Sequence, residues 1–168
     1  METRPKIKLT LSSLDSKLES AGKAFLIILW ALTLFVFLKL PATIPTHFNA
    51  SGKADNYGSR MTILISPILA TIIYFGLAQL NKYPRIFNYM VKITENNAPG
   101  QYKIATRVLR FLKLAVLIIF SLIILFTYLT ATGMTNGLGL WFLPFTSGLL
   151  LIPTILIVSQ SLKKKNTV

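Results

Sequence analysis

His47 is the single histidine of this chain, and it precedes Asp55, one of only five acidic residues, by eight positions with Asn49 between them. An imidazole and a carboxylate at that spacing can hydrogen-bond across a turn, or they can supply two ligands to a zinc ion. Zinc ordinarily takes four ligands, and this stretch offers two. The favoured reading is a hydrogen-bonded pair that organises a loop, with Asn49 capping a turn; no metal is expected. Catalysis has little to draw on. The chain has no second histidine and no cysteine, so it cannot build a conventional triad. No inward carboxylate pair is available for acid–base work, and no glycine-rich phosphate loop is present. The expectation is a protein that is not an enzyme and uses no cofactor.

The elements around this pair are apolar. Over 168 residues, 53% are hydrophobic and 14% charged, more apolar than an ordinary soluble domain. The hydrophobic residues fall in long runs at 24–40, 61–80, 111–131 and 138–158. Each meets or approaches the roughly 20 helical residues that cross a bilayer core. The predicted fold class is therefore all-α: a single polytopic membrane domain over 1–168 with four transmembrane helices. A cleaved signal peptide is the rival reading of the first run. The long polar leader before Ala24 and the lack of a small-residue cleavage site after the run argue against it.

The formal net charge of +13 does not indicate nucleic acid, because the basic residues are distributed by side. Fifteen of the eighteen lysines and arginines lie in the leader 1–23, in or beside the segment 81–110, and at Lys163–Lys165. Lys39, Lys53 and Arg60 are the exceptions. That bias places both termini and 81–110 in the cytoplasm and turns 41–60 outward. The bilayer is the expected partner, with attraction to anionic lipid as a side effect.

Local signals refine the elements. Leu11, Leu14 and Leu18 can share a helical face. Ser13 is the expected N-cap of a short helix that lies on the inner surface or leads into the first span; a loosely ordered tail is the alternative. Pro41 ends the first span and, with Pro45, keeps the chain extended to Asn49. Asn49-Ala-Ser-Gly52 and Asp55-Asn-Tyr-Gly58 both read as turns, and Ser59 as a cap for the second span. Pro67, Pro144 and Pro153 read as kinks within spans two and four. Asn96-Asn-Ala-Pro99 signals a helix start, from which a helix runs unbroken into span three. Lys103, Arg107 and Arg110 fall on one face of it. They are expected either to meet lipid head groups or a partner, or to fix the orientation of a cytoplasmic extension.

The residues Leu40-Pro41, Ile44-Pro45, His47-Phe48-Asn49, Gly52 and Asp55 resemble the signature of a bacterial membrane domain found in SdpI-type toxin-immunity proteins and their uncharacterised relatives. Pro84, Val91-Lys-Ile-Thr-Glu-Asn96 and the Arg107/Arg110 helix resemble the segment that follows. The chain departs from the pattern at Ala42, where relatives often carry aspartate, and it is too short for the further membrane portion of longer SdpI-type proteins. The resemblance implies location in the bacterial inner membrane and protection against a secreted peptide toxin, with the outer loop or a membrane partner protein involved.

The function expected is a non-enzymatic integral membrane protein of the SdpI-like type, giving immunity to, or sensing, a membrane-active peptide through Pro41, Pro45, His47, Phe48, Asn49, Gly52 and Asp55. The alternative is a small permease or an accessory subunit of a transporter, resting on the prolines of spans two and four. A metal-dependent membrane enzyme is a third.

Overall fold

Polar residues decide where the helices begin. The computed structural model describes residues 4–163; residues 1–3 and 164–168, with Lys164 and Lys165 among them, lie outside the described residues. Helix α1 spans Ser13–Lys39, and its N-cap is Ser12, not Ser13. The reason is a capping box. The Ser12 hydroxyl accepts from the Asp15 amide at 3.3 Å, and Asp15 Oδ2 accepts from the Ser12 amide at 3.0 Å. Ser12 has a carboxylate at the third helical position to reciprocate, whereas Ser13 would have Ser16 there. Residues 13–23 of the leader are thus part of one 27-residue helix. Leu11 lies before it, and Leu11 and Leu14 are 55% and 51% exposed. The buried face of the leader carries Asp15 and Gly22 instead of leucines. Ser12→Ala is expected to lower stability by about 1 kcal/mol, measurable as a shift in unfolding of the detergent-solubilised protein.

Leu40 leaves the helical region, with ψ of 141°, immediately before Pro41. Strands β1 (Thr43–Phe48) and β2 (Ala54–Ser59) then form an antiparallel hairpin. The all-α expectation is corrected at this point: the fold is mostly helical, with one two-stranded sheet. Asn49–Gly52 makes the predicted turn, with Gly52 at φ +75°. Asp55–Gly58 does not turn. It lies within β2, where Gly58 faces Ile44, and a Cβ on Gly58 would come 3.0 Å from the Thr46 methyl. Glycine serves close strand approach there, not a left-handed turn.

Ser59 caps the 3-10 turn Arg60–Leu64, accepting from the Met61 amide at 3.3 Å. That turn leads into α2 (Ile65–Leu80). A second 3-10 turn, Pro84–Ile86, follows. Helix α3 then runs unbroken over Ala98–Ala131 with Pro99 in its first turn, as the sequence signal implied. Helix α4 covers Phe142–Lys163. Pro67 falls at the start of α2 and Pro144 at the start of α4. A missing N–H costs little in the first turn. Only Pro153 interrupts a helix interior among the described residues, so matching broken helices in two halves are not seen.

Helix α3 is the axis of the bundle: α1, α2, α4 and β1 all pack on it. Its Leu117 and Ile124 meet Leu29 and Val36 of α1, Ala70 and Tyr74 of α2, and Ile44 of β1 in one buried cluster. The outer surface is equally apolar. Ile27, Leu38, Ile72, Phe75, Leu151 and Ile155 are exposed, an arrangement suited to lipid and unsuited to water. Four segments, Ser13–Lys39, Arg60–Leu80, Ala98–Ala131 and Phe142–Gln160, are long and apolar enough to cross a membrane.

Candidate functional site at the hairpin

The seven signature residues come together on the hairpin and its approach. Pro41 ends α1, and Pro45 is buried in β1 opposite Tyr57. Having no N–H, proline gives up a ladder hydrogen bond, and the register slips between Pro45 and His47 and again between His47 and Phe48. These irregularities accompany the meeting of His47 with Asp55. His47 Nδ1 lies 2.5 Å from Asp55 Oδ1, joining β1 to β2. The side chains are 65% and 41% exposed.

Asn49 builds the turn through its side-chain oxygen. It accepts from the Ser51 amide at 3.0 Å, the Ser51 hydroxyl at 2.7 Å and the Lys53 amide at 3.1 Å. The turn docks on the α3–α4 connection: the Leu138 amide donates to the Gly52 carbonyl at 2.7 Å, and Lys53 forms a bridge with Gly137. Sequence reasoning missed this second surface. The signal was the glycine spacing in Gly137-Leu-Gly139, both at positive φ.

Beneath β1 is a cavity of about 390 Å³. Ile44, Ile63, Ile65, Ile123 and Leu138 give it apolar walls, and Thr46, Thr62, Ser66 and Thr127 supply hydroxyls. His47 and Phe48 also line it. An apolar chamber with a few hydrogen-bonding groups is the usual composition of a small-ligand or peptide side-chain site. With Nδ1 held by Asp55, Nε2 is the ring nitrogen left to a ligand. Among the described residues, no three His, Cys, Asp or Glu side chains are grouped to hold a metal.

At the opposite end of the bundle two residues of the basic face meet carboxylates of the same chain. Arg107 Nε meets Asp15 Oδ1 at 2.8 Å, and its Nη2 reaches Asp15 Oδ2 at 3.3 Å and the Ser12 hydroxyl at 3.1 Å. Arg110 Nε approaches Glu19 Oε1 at 3.0 Å, as an ion pair without hydrogen-bond alignment. Arg107 and Arg110 are therefore engaged within the chain, while Lys103 remains exposed. Lys113, counted in the sequence only for its charge, donates to Glu19 Oε2 at 2.8 Å and sits 5.0 Å from the centre of the Tyr74 ring. Tyr74 in turn packs on Gly22, where a Cβ would stand 3.2 Å from the ring. This cluster ties α1, α2 and α3 together.

Residues 24–71 match a family model described as a domain of unknown function, DUF1648. The matched stretch runs from the apolar part of α1 through the hairpin into α2, and it contains all seven signature residues. An uncharacterized protein of Archaeoglobus fulgidus is 35% identical over 88 residues, covering 44% of this chain and 48% of the relative. The chain thus spans about half the length of that curated relative. No solved structure matches it.

Proposed function

We propose that this chain is a non-enzymatic, multi-pass membrane protein whose outer hairpin recognises an amphipathic ligand, with a membrane-active peptide as the specific occupant and immunity of an SdpI-like kind as the role. The observation that carries the reading is the cavity under β1. It combines apolar walls for a hydrophobic side chain with the His47–Asp55 pair at its rim. The basic residues gathered at the other end of the bundle support a cytoplasmic location for both termini, with the hairpin exposed outside a bacterial inner membrane. The resemblance of the hairpin residues to the SdpI-type signature supports the immunity role.

The test is protection of cells expressing the chain against a panel of membrane-active peptides. An exposed ion pair contributes little to stability, about 0–1 kcal/mol. His47→Ala and Asp55→Ala should therefore leave protein levels intact while abolishing protection. Unchanged protection in both variants would remove the hairpin from the function.

A further inference from the structure

A second cavity, of about 410 Å³, lies at the end of the bundle away from the hairpin. Two stretches far apart in sequence build it. Pro5 to Lys8 form one wall and Lys82 to Arg85 the other, with buried Tyr102 between them. The N-terminal wall is tied in place by directed contacts. The Arg4 guanidinium donates to the carbonyls of Arg85 at 3.0 Å and Phe87 at 2.6 Å, and it lies 5.5 Å from the centre of the Tyr89 ring. The Tyr102 hydroxyl donates to the Pro5 carbonyl at 3.2 Å. Tyr89 donates to the Pro84 carbonyl at 2.8 Å. Burial, with a further push from Tyr102, raises its phenol well above the ordinary value despite the opposing pull of Arg4, so it remains a neutral donor.

Four cations line this cavity: Lys6, Lys8, Lys82 and Arg85. No carboxylate is among the lining residues, and among the described residues none of the four has an ion-pair partner. The contrast with the neighbouring basic face is informative. Arg107, Arg110 and Lys113 are matched to Asp15 and Glu19, whereas these four are left facing a common space. The site also sits where α2 gives way to the polar segment, since Leu80 is the last residue of that apolar helix and Lys82 lines the cavity.

From this juxtaposition we infer that the cavity between residues 5–8 and 82–85 is a binding site for a phosphate group, carried either on an anionic lipid head group or by a free phosphate. Lysine ammoniums and an arginine fork supply the charge and the directed donors that phosphate oxygens accept. Tyr102 gives the space a rigid floor.

The test uses the full chain, stripped of lipid in nonionic detergent. It is titrated with short-chain phosphatidylglycerol, with short-chain phosphatidylcholine and with inorganic phosphate, and bound lipid is counted by native mass spectrometry. Wild-type protein should take up one phosphatidylglycerol or phosphate saturably and discriminate against phosphatidylcholine. Lys82→Ala with Arg85→Ala should weaken that binding about tenfold or more. Lys17→Ala with Lys23→Ala, which removes the same charge from exposed positions of α1, should not. Binding of phosphatidylglycerol that inorganic phosphate fails to displace identifies the lipid source; binding of inorganic phosphate alone identifies the free anion. If Lys82→Ala with Arg85→Ala misfolds, Lys6→Ala with Lys8→Ala reports on the opposite wall. Equal weakening by the exposed pair, or no saturable binding of either probe, overturns the inference.

Discussion

Glu19→Ala is expected to destabilise the bundle by about 3–5 kcal/mol, the usual cost of leaving a buried ion without its partner. One carboxylate serves two cations there. Lys113 donates to Oε2 at 2.8 Å and Arg110 stands 3.0 Å from Oε1. Lys113 is 2% exposed, and only its cation–π contact with Tyr74 remains when Glu19 is truncated. That contact supplies about 0.5–2 kcal/mol, too little to offset stranding an ammonium and a guanidinium together. Asp15→Ala should be milder, because its partner Arg107 is more exposed than Arg110 and can turn its head group towards water. The ordering Glu19→Ala worse than Asp15→Ala is read from the fraction of monodisperse protein surviving a temperature series in detergent. Glu19→Ala combined with Lys113→Met should recover part of the loss, since it leaves one stranded cation instead of two. Equal survival of Glu19→Ala and wild type would mean that water reaches this cluster freely.

That cluster shows where the sequence was silent. The four apolar runs are local features, so four long apolar helices were legible, although the first begins at Ser13, well before its run. The Pro41 stop and the Asn49 turn are local too, and both are present. The partnership of Glu19 with Lys113 spans 94 positions, and no local pattern announces it. What could have pointed to it is that Asp15 and Glu19 lie one helical turn apart in a predominantly basic leader. The face holding Arg107 and Arg110 was visible as a stripe, but what it faces depends on α1 running alongside α3. Asp55–Gly58 was misread for a similar reason. The run Asp55-Asn-Tyr-Gly58 suits a turn, yet here the Thr46 methyl on the opposite strand demands the missing side chain. Pro67 and Pro144 read as interior because their apolar runs begin before the regular helices do, whereas Pro153 does lie inside α4.

Gly52→Ala carries the second large effect, and it acts on the hairpin as a unit. Two costs coincide at this residue. Its φ of +75° is left-handed, which for alanine costs about 1–2 kcal/mol. In addition, its Cβ would stand 2.5 Å from the Gly139 carbonyl oxygen and 2.6 Å from the Gly139 nitrogen. These are backbone atoms, so no rotamer change can clear them. The hairpin turn must lift from the α3–α4 connection, breaking the bond from the Leu138 amide to the Gly52 carbonyl and opening the Leu138 wall of the cavity. Gly133→Ala separates the two costs. Gly133 has the same φ of +75° but no neighbour within 4 Å of its added Cβ, so it incurs the backbone strain alone. Hydrogen exchange at the Leu138 amide should therefore rise at least tenfold more in Gly52→Ala than in Gly133→Ala, corresponding to an extra local cost above about 1.4 kcal/mol. Loss of the proposed peptide protection in Gly52→Ala, with protection kept in Gly133→Ala, would tie recognition to the docked position of the hairpin. Matching exchange rates in the two variants would mean that the turn does not rest on Gly139, and that the cavity keeps its shape without that contact.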